Sequence, residues 1–229
     1  MFKRSFVLFL VLALAVSAFV GCTSEPAPEP EQPQEQGEQP APAEEEAKEM
    51  VLTWNLGADP KTLDPQLNSA ADGGYIINNT FEGLMREVNG KLEPKMAESY
   101  EVSEDGLTYT FKLRDAKWSD GKPVTAKDFE FSWKRALSPE VASEYSFQMF
   151  YIKGGQEYFN GEASVDDVAV KAIDDKTLEV VLNAPTPYFL DLTTFYTYMP
   201  TREDLVDNEG IWAKDPAKAV SNGPFKLAE

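Results

Sequence analysis

Apolar and polar positions alternate about a turn signal in two stretches of the chain. In residues 99–114, SYEVSEDGLTYTFKLR, Leu107, Tyr109, Phe111 and Leu113 share one face, and Asp105 and Gly106 supply the bend. That pattern predicts a β-hairpin. Residues 168–182, VAVKAIDDKTLEVVL, repeat the logic with Asp174, Asp175 and Lys176 at the bend. MVLTWNL, residues 50–56, also alternates and predicts a strand. Residues 57–74 are turn-rich, with Pro60 and Pro65. In residues 75–88, Ile76, Ile77, Phe81, Leu84 and Met85 fall at helical spacing, and Asn89 and Gly90 read as the helix stop. A proline-rich approach to a short helix follows in 183–196, then a helix over 201–210 from a Thr cap to Gly210, then a turn and a strand from Phe225. The mix is α+β, a mixed α/β chain without regular β-α-β alternation or internal repeat.

The segment KWSDGKPVTAKDF, residues 117–129, concentrates polar groups between Trp118 and Phe129. Asp120 and Gly121 predict a tight turn, Pro123 fixes φ, and Thr125 with Asp128 three residues on predicts a capping box opening a helix. Trp118 and Phe129 are expected to pack on each other or into the hairpin core. Ser119 has no base beside it to activate its hydroxyl, so the segment reads as scaffold.

The chain begins MFKR, two cations, followed by sixteen residues (5–20) apolar apart from Ser5 and Ser17. This is the charged and apolar pattern of a secretory signal, shorter than the roughly 20 residues a membrane-spanning helix needs. It ends in FVGC, and small residues before a lone cysteine resemble a bacterial lipobox, although Phe19 stands where Leu is preferred. The resemblance implies cleavage after residue 21 and a lipid on Cys22. The alternative is a buried thiol beside an uncleaved anchor. Residues 23–49 hold six Pro and nine Glu and no aromatic, a composition that cannot offset its ordering entropy and so predicts a disordered, extended tether.

Cys22 is the only cysteine, so no intramolecular disulfide forms, and the chain has no histidine. Imidazole-based catalysis and His metal sites are thereby excluded, no cofactor is expected, and no EF-hand pattern supports an Asp/Glu cation site. The balance of 21 basic and 39 acidic residues becomes 19 against 39 once Lys3 and Arg4 leave with the signal. Such a field repels phosphate backbones, so nucleic acid is not an expected partner. A hydrolase reading would use the neighbouring carboxylates Asp166 and Asp167 or Asp174 and Asp175, but adjacent strand residues point to opposite faces and cannot flank one bond.

The run AESYEVSEDGLTYTFKLRDAKWSDGKPVTAKDFEFSWKRAL, residues 97–137, resembles the bacterial solute-binding proteins of the oligopeptide/nickel class, family 5. TLDP at 62–65, FEGL at 81–84, VKAIDDKTLEVVLNAPTPYF at 170–189 and SNGPFKL at 221–227 extend the likeness to essentially all of 51–229. The resemblance implies a periplasmic-binding-protein-like clamp with an inserted extra domain, of which only the first lobe and the insert are present. Residues 50–81 match the first segment of domain I, 82–202 the inserted domain II, and 203–229 a truncated second segment of domain I. It further implies a non-enzymatic, monomeric lipoprotein on the outer face of the cell membrane or in the periplasmic space. Such a protein delivers oligopeptides to an ABC permease and its ATPase subunits. Ser69, Ala70 and Ala71 match the domain I edge that meets the peptide backbone, Tyr145 an aromatic residue near the ligand's N-terminal portion, and Phe195 a pocket-lining position. The plainer readings are a loop of small side chains and a core tyrosine. On the same fold the ligand is alternatively a nickel chelate, heme, sugar or other small solute, or the chain is a non-transport surface receptor.

Overall fold

The computed structural model describes residues 50–207 and 209–228. The signal peptide, Cys22 and the tether expected over residues 1–49 lie outside the described residues. The chain divides into two units, Met1–Leu52 and Thr53–Glu229. Of the first, residues 50–52 are described; they are exposed and form no strand. Residues 53–56 form none either, which corrects the expectation for MVLTWNL: alternation alone makes no strand without a neighbour to take its N–H and C=O groups, and none pairs with it among the described residues.

The helix expected over 75–88 is shifted and split. Helix α1 spans Ala71–Thr80 and ends as Phe81 turns extended. Strands β1 (Met85–Val88) and β2 (Lys91–Pro94) then form an antiparallel hairpin in which Val88 faces Lys91. Asn89 and Gly90 have φ of 53° and 74° and form its two-residue turn. Asn tolerates and Gly favours the left-handed region that such a turn demands at both positions, so the pair closes a hairpin rather than a helix. Phe81, Leu84 and Met85 are buried all the same, from extended chain.

The two expected hairpins meet in one sheet. Strands β3 (Ala97–Val102), β4 (Thr108–Leu113), β5 (Val170–Asp174) and β6 (Thr177–Val181) lie in the order β3-β4-β6-β5, every neighbour antiparallel. Tyr109 pairs with Val180 and Phe111 with Leu178, so the apolar faces of the two hairpins coincide. An aspartate pins each bend. Asp105 accepts the Ser103 hydroxyl and the Leu107 N–H, and Asp174 accepts the Lys176 N–H at 2.8 Å and the Thr177 hydroxyl at 2.9 Å. These bonds hold both carboxyls below the usual carboxylate range. Strand β3 sits at one edge with Glu98 and Glu101 exposed, charges that discourage further strand pairing.

Helix α2 (Ala126–Ala136) covers the sheet through Phe129, Trp133 and Ala136. Its expected capping box is present: the Asp128 carboxylate accepts the Thr125 N–H at 2.8 Å and the Thr125 hydroxyl at 3.1 Å. The same oxygen takes the Trp118 indole N–H at 3.3 Å, which seats the tryptophan on the helix start. Burial nonetheless raises the Asp128 carboxyl above its ordinary value. Asp120 accepts the Lys122 N–H in the tight turn, as the scaffold reading requires, and Ser119 exchanges two hydrogen bonds with Ser221. Phe189, on helix α4 (Phe189–Leu192; α3 is Gly155–Phe159), packs on Tyr109 with ring centroids 4.8 Å apart.

Below this core lies a polar one. Asp64, fully buried, takes a two-pronged pair from Arg135 of α2 at 3.0 and 2.8 Å and the Trp212 indole N–H at 2.8 Å. Gln66 accepts from Arg135 and Thr201 through its side-chain oxygen and donates to the Met199 carbonyl at 2.9 Å. Asp207 gives its carbonyl to Arg135 and its carboxylate to the N–H groups of Glu209, Ile211 and Trp212.

That last set explains a second departure. Residues 201–207 form one turn, closed by the Leu205 and Val206 N–H groups on the Arg202 carbonyl, and no helix; the Asp207 carboxylate then takes the N–H groups of Glu209, Ile211 and Trp212, which holds the chain in a non-helical path. Residues 221–228 form no strand; the Gly223 and Phe225 N–H groups instead bond to the carbonyls of Thr80 and Asn79 at the end of α1. Arg202 bonds to Asp120 and to Asp204, and Lys122 reaches Asp204 at 2.9 Å.

Two outcomes are expected. Arg135→Ala strands a buried carboxylate and should lower unfolding stability by about 3–5 kcal/mol in urea denaturation followed by tryptophan fluorescence. A loss near zero would show that water or neighbours compensate Asp64. The Arg202 and Lys122 contacts hold the Asp204 carboxyl well below the usual range. Their contribution is therefore present above the unfolded value of about 3.9 and is lost as pH falls through the lower folded value. In Arg202→Met the Asp204 carboxyl should titrate closer to its ordinary value by NMR, and stability should fall less steeply with acid.

Candidate functional site

The polar core leads directly into the loop singled out in the sequence. The Asp64 carbonyl accepts the N–H groups of Leu67 and Asn68, and the Asn68 side chain then donates to the Ala70 carbonyl at 2.9 Å. This curls residues 68–70 into the start of α1, whose N-cap position is Ala70, with no side-chain cap. Ser69 is half-buried, and Ala70 and Ala71 are exposed. The loop presents backbone and small side chains.

Tyr145 reaches this loop through a separate anchor. The Ser143 hydroxyl donates to the Gln66 carbonyl at 2.6 Å, seventy-seven residues back in the chain. Ala142 just before it has φ 48°, a left-handed conformation that turns the chain inward. Glu144 therefore stands beside the loop, where the Ser69 hydroxyl donates to its carboxylate at 3.1 Å. Phe195 arrives by a third route. The buried Tyr198 hydroxyl donates to the Gln148 carbonyl at 2.6 Å and thus ties the turn Tyr196–Tyr198 to the turn Ser146–Met149. The rings of Tyr145 and Phe195 meet edge-to-face, centroids 5.0 Å apart.

All five residues singled out in this part of the sequence thus gather at one place, brought there from three distant stretches. Three that were not singled out stand with them: Asn68, Glu144 and Tyr196. Each is the chain neighbour of a chosen residue, which is the one signal the sequence offered. The Tyr196 ring lies 4.1 Å from Phe195 and 5.9 Å from Tyr145. Burial first, then the nearby Tyr145, pushes the Tyr196 phenol up to about 12. Tyr145 itself is half-buried, with the rings of Phe147, Phe195 and Tyr196 around it. The geometry offers an aromatic platform beside the exposed start of α1, where the Ala70 carbonyl already accepts from Asn68 and Gly74, and one carboxylate. Asp167 caps its own turn by accepting from Ser164, and Asp174 is used in the bend described above, so neither carboxylate pair flanks a cleft. Among the described residues no cluster of His, Cys, Asp and Glu could hold a metal ion.

Residues 91–229 match the family model of bacterial extracellular solute-binding proteins, family 5 Middle. The chain belongs to this family. It is 50% identical over 179 residues to the oligopeptide-binding protein OppA of Bacillus subtilis (strain 168), covering 77% of this chain and 33% of that relative. The substrate-binding domain of an oligopeptide ABC transporter from Bacillus anthracis superposes with a TM-score of 0.71 at 45% identity, covering 74% of this chain and 33% of that one. Listeria monocytogenes OppA bound to peptide gives 0.72 at 37% identity, covering 75% and 35%. This member of the family therefore spans about a third of the length of the relatives it matches. The fold is mixed α/β and periplasmic-binding-protein-like, as the resemblance implied.

The close fit at the start of α1 yields a test. A Cβ on Gly73 would lie 2.2 Å from the Asn68 side-chain oxygen and 2.8 Å from the Thr62 carbonyl. The carbonyl is backbone and cannot swing aside, so Gly73→Ala should destabilise the protein by about 1–3 kcal/mol. It should also raise amide hydrogen exchange in residues 69–71 above that of the unsubstituted protein.

Proposed function

We propose that this chain is the first part of a substrate-binding lipoprotein that captures oligopeptides outside the membrane and hands them to an ABC permease with its ATPase subunits. The observation that carries the reading is the convergence of Ser69, Ala70 and Ala71 with Tyr145 and Phe195 on one open surface. Exposed backbone in residues 69–71 suits hydrogen bonding to an extended peptide in the manner of strand addition. Tyr145 and Phe195 supply apolar area with few rotatable bonds against one ligand side chain. Water-mediated contacts in such a site leave sequence preference loose.

On this reading residues 50–81 and 203–229 belong to domain I and 82–202 to the inserted domain II. Cys22 carries the lipid, residues 23–49 lift the binding unit off the membrane, and the protein acts as a monomer without cofactor or turnover. Two acyl chains on Cys22 would give the stable anchoring that one chain does not.

The test is calorimetric titration of the intact protein with a mixed tri- to pentapeptide pool and then with single peptides. Saturable binding is expected, weakened about tenfold or more in Tyr145→Ala, in line with loss of a buried aromatic contact. No saturable binding of any peptide would overturn the reading in favour of another solute or a receptor role. Labelling with radioactive palmitate, expected in the wild type and absent in Cys22→Ser, tests the anchor separately.

A further inference from the structure

Tyr196 is the buried ring of the aromatic cluster, and it touches both halves of the site. On one side it packs on Phe195, centroids 4.1 Å apart, and meets Tyr145 edge-to-face at 5.9 Å. On the other it rests against the first turn of α1. The Gly74 N–H closes that turn on the Ala70 carbonyl at 3.1 Å, and a Cβ on Gly74 would stand 3.2 Å from the Tyr196 ring. Glycine at this position lets the ring reach the helix backbone. The Asn68 amide fills the same notch, its oxygen 2.2 Å from a Cβ placed on Gly73 and its nitrogen 3.7 Å from one placed on Gly74. The Tyr196 phenol has Asn68 and Tyr145 as hydrogen-bonding neighbours, and the Asn68 nitrogen donates onward to the Ala70 carbonyl at 2.9 Å. Gln66 adds a second tie, donating to the Thr197 and Met199 carbonyls just after Tyr196. A ring only 8% exposed offers little surface to a ligand. Its contacts instead join the half-buried Tyr145 and Phe195 to the exposed start of α1.

We propose that Tyr196 is a positioning residue that holds the Tyr145–Phe195 platform and the loop of residues 69–71 at a fixed spacing, so that a single peptide engages both. This deepens the peptide-binding reading and rests on it. Two surfaces free to drift must be ordered when the peptide arrives, and a fixed spacing removes that cost from binding. Tyr196 acts through Tyr145 and Asn68 without touching the ligand.

Calorimetric affinities for the mixed tri- to pentapeptide pool and for Ala-Phe-Ala are compared across the intact wild type, Tyr196→Phe, Tyr145→Ala and the double variant, each first shown to be folded by its urea transition. Tyr196→Phe keeps the ring and its packing and removes only the hydroxyl. It should weaken binding about three- to tenfold, as for one lost hydrogen bond, and raise amide hydrogen exchange in residues 69–71 of the free protein. In that background Tyr145→Ala should weaken binding by less than about threefold, against about tenfold in wild type, because residues that act as a unit are not additive. Asn68→Ala cuts the same link from its other end and should reproduce both the loss and the non-additivity. Losses that add, or affinities of Tyr196→Phe and Asn68→Ala within about twofold of wild type, would overturn the positioning role while leaving peptide binding intact. Absence of binding by the wild type, for the pool as for the single peptide, would overturn the peptide-binding reading and this inference with it.

Discussion

The Asp64 carboxylate meets Arg135 and Trp212 in a space closed to water, and much of the remaining structure depends on that meeting. A charge in such a place is tolerated only when its lone pairs are filled, and here Arg135 supplies a fork while Trp212 and the Gln66 N–H take the rest. The partners come from three stretches: the loop after Pro60, the helix α2 and the turn around Trp212. Fixing them fixes the path of residues 62–68, and that path delivers Ser69, Ala70 and Ala71 to the surface. The exposed loop is thus shaped by a buried pair.

The sheet and its helix supply the second frame. Tyr109, Phe111, Trp133, Phe189 and Tyr198 pack as a chain of rings, and the Trp133 indole donates to the Tyr198 carbonyl at 2.7 Å. Through Tyr198 and Gln148 this core sets the spacing between the turn that follows Tyr145 and the turn that follows Phe195. The aromatic platform is therefore the outward edge of the apolar core. Within it Tyr145 and Phe195 are half-buried and Tyr196 is buried.

Charge adds a third constraint. The chain holds 39 acidic residues against 21 basic ones, and among the described residues many carboxylates lie on the surface or serve turns and caps. Asp105, Asp128, Asp167, Asp174 and Asp207 all accept backbone N–H groups. Glu144 differs, because its single hydrogen bond comes from a side chain across the cluster and leaves it open towards solvent.

Much of the fold was legible in the sequence because its signals are local. Alternation with an Asp-containing bend specified both large hairpins, and Thr125 with Asp128 specified the start of α2, since each depends on neighbours within a few residues. The motifs of residues 97–137 also specified the family. Local signals misled where two structures compete for one pattern. The apolar spacing of residues 75–88 fits a helix, but Asn89 and Gly90 close a hairpin better; the pattern of 201–210 fits a helix, but the chain makes one turn at Arg202 and Asp207 then binds the N–H groups of the residues that follow. Tertiary structure alone decided the Asp64–Arg135 pair, seventy-one residues apart, and the meeting of Ser69 with Glu144 at a separation of seventy-five. Nothing in one-dimensional spacing encodes which distant groups share a buried or a surface site, because that choice is made by packing the elements against one another.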